Sequence, residues 1–304
     1  MPFALLFIYL LSSVGSASFA KLTSSELKRA ARAKYSLFLT INGCLACLFF
    51  WMFGGFSVSV NAVTLIYALI YAIIVAAIIV LTALAYNLMS VSNVGIVRGG
   101  CELVCTAAVG ALLFSEKITT KVILRIALTL VSVLFVMFAS KKQEQPCEKR
   151  DMEEKNRSSG VLLAIVLILN VIFGCANTVT VKCFTLDTRT ADENSFFFFT
   201  NVFLAVGCAM FFAFESIRDR RVARDAVTIF KPRAIIGIFG NTLSSNVGSL
   251  VSAWIIAGMD ISVYTPVMSS IGIIAGFIGS LLYKEKLGVL SYIAIVAAII
   301  AVII

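Results

Sequence analysis

Arg98 and Glu102 stand four residues apart within SNVGIVRGGCELVCTAAVGALLFSEKIT, the otherwise apolar run from Ser92 to Thr119. Four residues is just over one helical turn, so both side chains belong to one face of a helix. The planar fork of Arg98 is suited to clamping a carboxylate or phosphate. Glu102, set among apolar neighbours, is suited to taking and releasing a proton. A substrate anion competing with Glu102 for Arg98 would couple binding to protonation. The alternative is structural: the two charges neutralise each other and lock helices together, although buried ion pairs stabilise weakly for the desolvation they cost.

The elements that would hold this pair follow from composition. The chain has 304 residues, 60% hydrophobic and 13% charged, with a mean hydropathy of +1.01, far from the balance of a soluble domain. It reads as a polytopic membrane protein, in which an intramembrane Arg and Glu are costly and therefore suspected of function. A spanning helix needs about 20 apolar residues. Ten such stretches are expected: 2–20, 35–53, 62–88, 93–115, 119–139, 160–182, 195–214, 234–257, 261–283 and 287–304. The first, MPFALLFIYLLSSVGSASFA, resembles a secretory signal in its small-residue end, but no Lys or Arg precedes Lys21, so it is expected to be a true helix.

Most of the Lys and Arg behind the net charge of +9 lie in the connections after spans one, five and seven. That is a topology signal rather than a nucleic-acid footprint. It places those connections in the cytoplasm and both termini outside. The eight cysteines lie mostly in apolar spans and there is no histidine, so they read as packing residues rather than disulfides or metal ligands. Cys44 and Cys47 form a CxxC inside a hydrophobic helix, away from any redox fold pattern.

A polar linker, residues 141–159, separates two similar halves, 1–140 and 160–304. Gly110–Thr119, GALLFSEKIT, aligns without gaps on Gly279–Gly288, GSLLYKEKLG. Each copy follows a GxxxG, at Gly95–Gly99 and Gly272–Gly276, a pattern that permits close helix approach. Each is followed by one last span. Five spans per half make the second half enter from the opposite side, so the expected fold is all-α and integral to the membrane, with ten transmembrane helices arranged as two inverted five-helix repeats. Secondary transporters are built this way.

The ten spans, with a glycine-containing fourth helix of each half ending in Glu116 or Glu285, resemble the drug/metabolite transporter superfamily, in particular its EamA-like members. The resemblance covers nearly the whole chain. It implies a central cavity lined by the first four helices of each repeat, peripheral fifth and tenth helices, cytoplasmic termini, and Glu116 and Glu285 acting as anchors between repeats rather than as substrate ligands. The termini implied by the resemblance and by the charge count are opposite. Plastid phosphate translocators of the superfamily use basic residues in late helices; here Ser262–Gly276, SVYTPVMSSIGIIAG, has none.

The residues expected to face a substrate are Arg98, Glu102, Asn241, Ser245, Asn246, Tyr264, Asn170, Asn177 and Tyr86. Val267 and Ile271 stand where Arg98 and Glu102 would recur, so the site is asymmetric. Phe196–Phe199 and Trp254 read as lipid-facing or interfacial aromatics. The expected activity is secondary transport, by alternating access, of a small polar or amphipathic metabolite with an anionic group, in a multi-pass protein of a bacterial-type cytoplasmic membrane. A proton or counter-substrate would couple it; no cofactor, metal or nucleic acid is called for, and the partners are the substrate and the bilayer. The alternatives are a multidrug or cation exporter using Glu102 and, with little support, a membrane-embedded enzyme or scaffold. No GxxxxGK[ST] is present, which argues against an ATPase.

Overall fold

In the computed structural model the described residues are 3–27, 32–88, 91–143, 156–218, 232–282 and 289–303. They form ten α-helices and no strand: α1 (Phe3–Leu27), α2 (Arg32–Phe53), α3 (Ala62–Leu88), α4 (Val91–Leu113), α5 (Thr120–Gln143), α6 (Asn156–Leu186), α7 (Glu193–Arg218), α8 (Pro232–Ala257), α9 (Ile261–Leu282) and α10 (Val289–Ile303). Each falls on one of the expected spans. Five contain stretches long and apolar enough to cross a membrane: Ser36–Phe53, Ala62–Leu81, Ala164–Leu186, Glu193–Arg218 and Ile261–Gly279. The basic stretch Lys21–Lys34, whose composition suits a solvated loop or a short helix at the membrane surface, is helical as far as Leu27 and again from Arg32. α5 and α6 likewise run into the expected linker, to Gln143 and from Asn156.

The helices sort into two compact units, Met1–Ile73 with Thr180–Gly258, and Ile74–Val179 with Met259–Ile304. Each takes elements from both halves of the sequence, and α3 and α6 contribute a different end to each.

In the first unit α1 packs on α8 and α2 on α7. Small residues set both spacings. A Cβ at Gly248 would stand 2.9 Å from Ser12 Oγ, one at Gly15 2.6 Å from Ser244 Oγ, and one at Gly240 2.5 Å from the Phe19 ring. Partner numbers fall as α1 rises, so the two helices are antiparallel. Between α2 and α7, Gly43 meets Ala205 and Phe50 stacks on Phe197 at a centroid distance of 5.3 Å. The start of α7 is therefore core. Phe196 is fully buried, stacked on Phe184 at 4.2 Å, and Phe197 is buried beside it, which corrects the lipid-facing expectation for this run. At 100° per residue four consecutive phenylalanines cannot share one face, and only Phe198 and Phe199 stay half-exposed. Trp254 is exposed, as an interfacial aromatic would be.

The connections α2–α3 and α6–α7 are tied together within this unit. Gly55 and Phe56 both adopt positive φ, and the Trp51 indole donates to the Phe56 carbonyl at 3.1 Å. Across the turn, Ser59 N–H donates to Ser195 Oγ, which donates to Asp192 Oδ1. Ala191 N–H donates to Thr64 Oγ1 at 2.7 Å, and Asn61 Nδ2 donates to the Arg189 carbonyl. Asp187 accepts from Nε and Nη2 of Arg189 at 2.9 and 2.8 Å and from its backbone N–H. The hydrogen-bonded Arg189 guanidinium holds the Asp187 carboxyl down to about 2. A depressed pKa contributes stability above the unfolded value, ~4, that is lost as pH falls through the folded one. Protease resistance of this connection is therefore expected to be constant from pH 8 to pH 5 and to fall only between about pH 4 and pH 2. In Asp187→Asn the acid step should be absent; its persistence would count against the fork.

In the second unit α5 packs on α10, α4 on α9, and α9 on both α5 and α10. The buried alanines of α10, Ala294, Ala298 and Ala301, recur at helical spacing. Thr129 of α5 and Ser270 of α9 share a buried hydrogen bond at 3.0 Å. Close approach at Gly272 and Gly276 was expected, yet a Cβ at either meets nothing within 4 Å among the described residues.

Candidate functional site

The polar groups of α4 and α6 come together in the second unit. Gly174 of α6 lies against Glu102 of α4: a Cβ at Gly174 would stand 2.7 Å from the Glu102 carboxyl carbon. Only a residue without a side chain lets the carboxyl lie so close to the α6 backbone. One turn to either side on the same α6 face are Asn170, fully buried, and Asn177, half-buried. Among the described residues Asn177 Oδ1 accepts no hydrogen bond. Thr106 Oγ1 donates to the Glu102 carbonyl at 2.8 Å, and the Cys175 thiol approaches the same oxygen at 3.8 Å. Carboxylate, two amides and a thiol thus concentrate over two turns of otherwise apolar helix, while the Thr106 hydroxyl is taken up by its own helix. Such a cluster can bind a polar ligand, and Glu102 can exchange a proton with it.

The other expected residues are placed differently. Arg98 lies on α4 and Tyr86 on α3, but their side chains fall outside the described residues. Tyr264 is half-buried on α9 in the second unit, four residues beyond Asp260, whose carbonyl receives its N–H. Asn241, Ser245 and Asn246 lie on α8 in the first unit. Asn241 Oδ1 accepts from Ser16 Oγ of α1 at 2.9 Å, and Ser245 Oγ returns to its own helix at the Thr242 carbonyl. Both contacts are those of helix packing. Asn246 is buried, and among the described residues its Nδ2 has no acceptor.

Two charged residues do more than their sequence context announced. Lys182 of α6 is buried, and its Nζ donates to the Ile256 carbonyl at 2.8 Å in the last turn of α8, where a cation suits the helix dipole. Its signal was a lysine inside the apolar stretch Ala164–Leu186. Glu116 reaches the other kind of helix end: Oε1 and Oε2 accept the N–H groups of Ile261 and Ser262 at 2.7 and 2.9 Å, capping α9. Gly110 leaves the room, since its Cβ would stand 2.5 Å from Glu116 Oε2. The repeated glycine and glutamate thus have a physical role here, joining the end of α4 to the start of α9.

No protein-family model and no curated protein matches this chain. Among solved structures, one described only as "Crystal structure of protein" is similar over 98% of this chain and 96% of that one, with a TM-score of 0.65 at 12% identity. The likeness is one of fold, and it extends over essentially the whole of this sequence.

Proposed function

We propose that this is a secondary transporter of the drug/metabolite type, carrying a small polar or amphipathic metabolite by alternating access between two inverted five-helix repeats. The observation that carries the reading is the Glu102 carboxyl seated against Gly174 between Asn170 and Asn177 within apolar helices. A structural role alone gives little reason to retain such a carboxyl in a membrane-spanning region, where it is costly. Helix pairing supports the repeat: α2 packs on α7, α4 on α9 and α5 on α10, each helix with the one five places on. Arg98, on the same α4 face as Glu102, favours a substrate with a carboxylate or phosphate. Glu102 supplies the coupling proton.

A second reading, export of a cationic compound, is favoured by the groups around Glu102. Two amides and a carboxylate suit a cation as well as an anion's polar remainder. A thermal-shift screen against amino acids, sugar phosphates, nucleotide sugars and quaternary amines separates the two, with Arg98→Ala and Glu102→Gln run beside the wild type. A ligand at a hundred times its Kd stabilises by ~2.7 kcal/mol. Stabilisation by an anionic compound that is lost in Arg98→Ala is the expected result. Stabilisation by quaternary amines alone, lost in Glu102→Gln and kept in Arg98→Ala, moves the second reading to first place. A response to no compound class, or one untouched by either substitution, removes the site from this position.

A further inference from the structure

We infer that the start of α5 holds a binding site for the phosphate of an anionic phospholipid, formed by Arg125 and Lys121. Arg125 is half-buried and lies roughly 8 Å along the helix axis from Thr120, the first residue of α5, at 1.5 Å per residue. Its buried Nε has no acceptor among the described residues. Lys121 stands one turn earlier on the same face and is exposed, as is Lys117 in the connection before the helix. None of these three cations has a carboxylate partner among the described residues. The adjacent acid, Glu116, is committed elsewhere, since its two oxygens accept N–H groups of α9 at 2.7 and 2.9 Å. An unpaired arginine within an apolar helix is costly, and an acceptor supplied from outside the chain relieves that cost.

The surroundings select a lipid rather than a dissolved anion. Leu124, Ala127, Val131 and Leu134 are exposed and recur at helical spacing, an apolar stripe that begins beside the basic pair and runs on along the helix. Acyl chains lie along this stripe, and the phosphate meets the basic groups at its end, where a long cationic side chain reaches toward the interface. The planar fork of Arg125 suits two oxygens of one phosphate, and Lys121 adds a point charge. The backbone that presents them is fixed. Thr119 Oγ1 accepts the Val122 N–H at 3.4 Å, Thr129 Oγ1 donates to the Arg125 carbonyl at 2.8 Å, and Thr129 is itself held on Ser270 of α9. The positive end of the α5 dipole adds to the attraction. A zwitterionic lipid brings its own cation beside the phosphate, so the site favours a headgroup of net negative charge. It is independent of any transported substrate and needs only that α5 lie in a bilayer.

The test uses the purified full chain in a non-ionic detergent, with native mass spectrometry measuring bound lipid at equal additions of phosphatidylglycerol and phosphatidylcholine of identical acyl chains. The expected result is a first binding step that prefers phosphatidylglycerol. Arg125→Gln and Lys121→Gln should each weaken that step about fivefold, the effect of one basic group near an anionic headgroup, and the double variant should weaken it further. Arg125→Lys should fall between wild type and Arg125→Gln, because the charge remains and the fork is lost. Arg218→Gln, which removes an exposed cation from the end of α7, should leave the step unchanged. A lipid-free thermal midpoint equal to wild type shows that a variant folds; where Arg125→Gln does not, Lys121→Gln and Arg125→Lys read the same site. Equal binding of the two lipids, a double variant that binds as wild type does, or an equal loss in Arg218→Gln would overturn the assignment. So would a rise in thermal midpoint with inorganic phosphate alone that disappears in Arg125→Gln, since the residues would then serve a dissolved anion.

Discussion

Glu116→Ala is expected to lower stability by about 2–3 kcal/mol, the loss appropriate to two part-buried amides deprived of a charged acceptor. The carboxylate meets the N–H groups of Ile261 and Ser262 at 2.7 and 2.9 Å. Both belong to the first turn of α9, where the positive end of the helix dipole favours an anion. Glu116→Gln retains one acceptor oxygen and should recover part of the loss. Gly110→Ala attacks the same contact from the other side. Its Cβ would stand 2.5 Å from Glu116 Oε2 and 3.3 Å from the Ser262 nitrogen, so the carboxylate must leave its place. The two substitutions should therefore be strongly non-additive in a double-mutant cycle of thermal midpoints. Additive losses, or a Glu116→Ala midpoint equal to wild type, would show that the cap contributes nothing.

Gly174→Ala is expected to separate ligand binding from stability. Its Cβ falls 2.7 Å from the Glu102 carboxyl carbon, but the obstructed group is the tip of a flexible side chain, which can give way by rotation about its own bonds. The helix meanwhile gains roughly 0.5–1 kcal/mol from replacing a mid-helix glycine. The thermal midpoint should stay the same or rise slightly. Binding of the ligand identified in the screen should weaken at least about tenfold, because misplacing one polar group by ~1 Å is enough to forfeit its interaction. Glu102→Gln, which keeps the shape and removes the charge, tells position from charge. An unchanged ligand response in Gly174→Ala would mean that the placement of Glu102 is not used.

Much of the helical framework was legible in sequence because the physical demand is simple: a membrane-spanning helix satisfies its backbone polar groups within itself and advertises its length as an apolar run. Hence ten helices fall where ten runs lie, and the GALLFSEKIT and GSLLYKEKLG segments could be matched before any contact was known. Arg98, Glu102, Asn170 and Asn177 stood out for the complementary reason that polar groups are expensive among apolar ones. What each does depends on a partner distant in sequence, and a linear pattern carries no record of which helix comes alongside. Asn241 and Ser245 were as conspicuous as Asn177, yet they make packing contacts to Ser16 and to the Thr242 carbonyl. Phe196 and Phe197 looked fit for lipid, and the approach of α7 to α2 through Gly43 and Ala205 buries them.

Sequence alone determined that this chain is built of long apolar helices, as a membrane protein is, and that Arg98 and Glu102 interrupt an apolar run. Only the tertiary structure decided that Gly174 makes room for Glu102 and that Gly110 makes room for Glu116 at the start of α9. The physical reason is common to both. Hydrophobic period and length are properties of one helix, whereas a cap or a polar cluster exists only where two backbones come within side-chain reach.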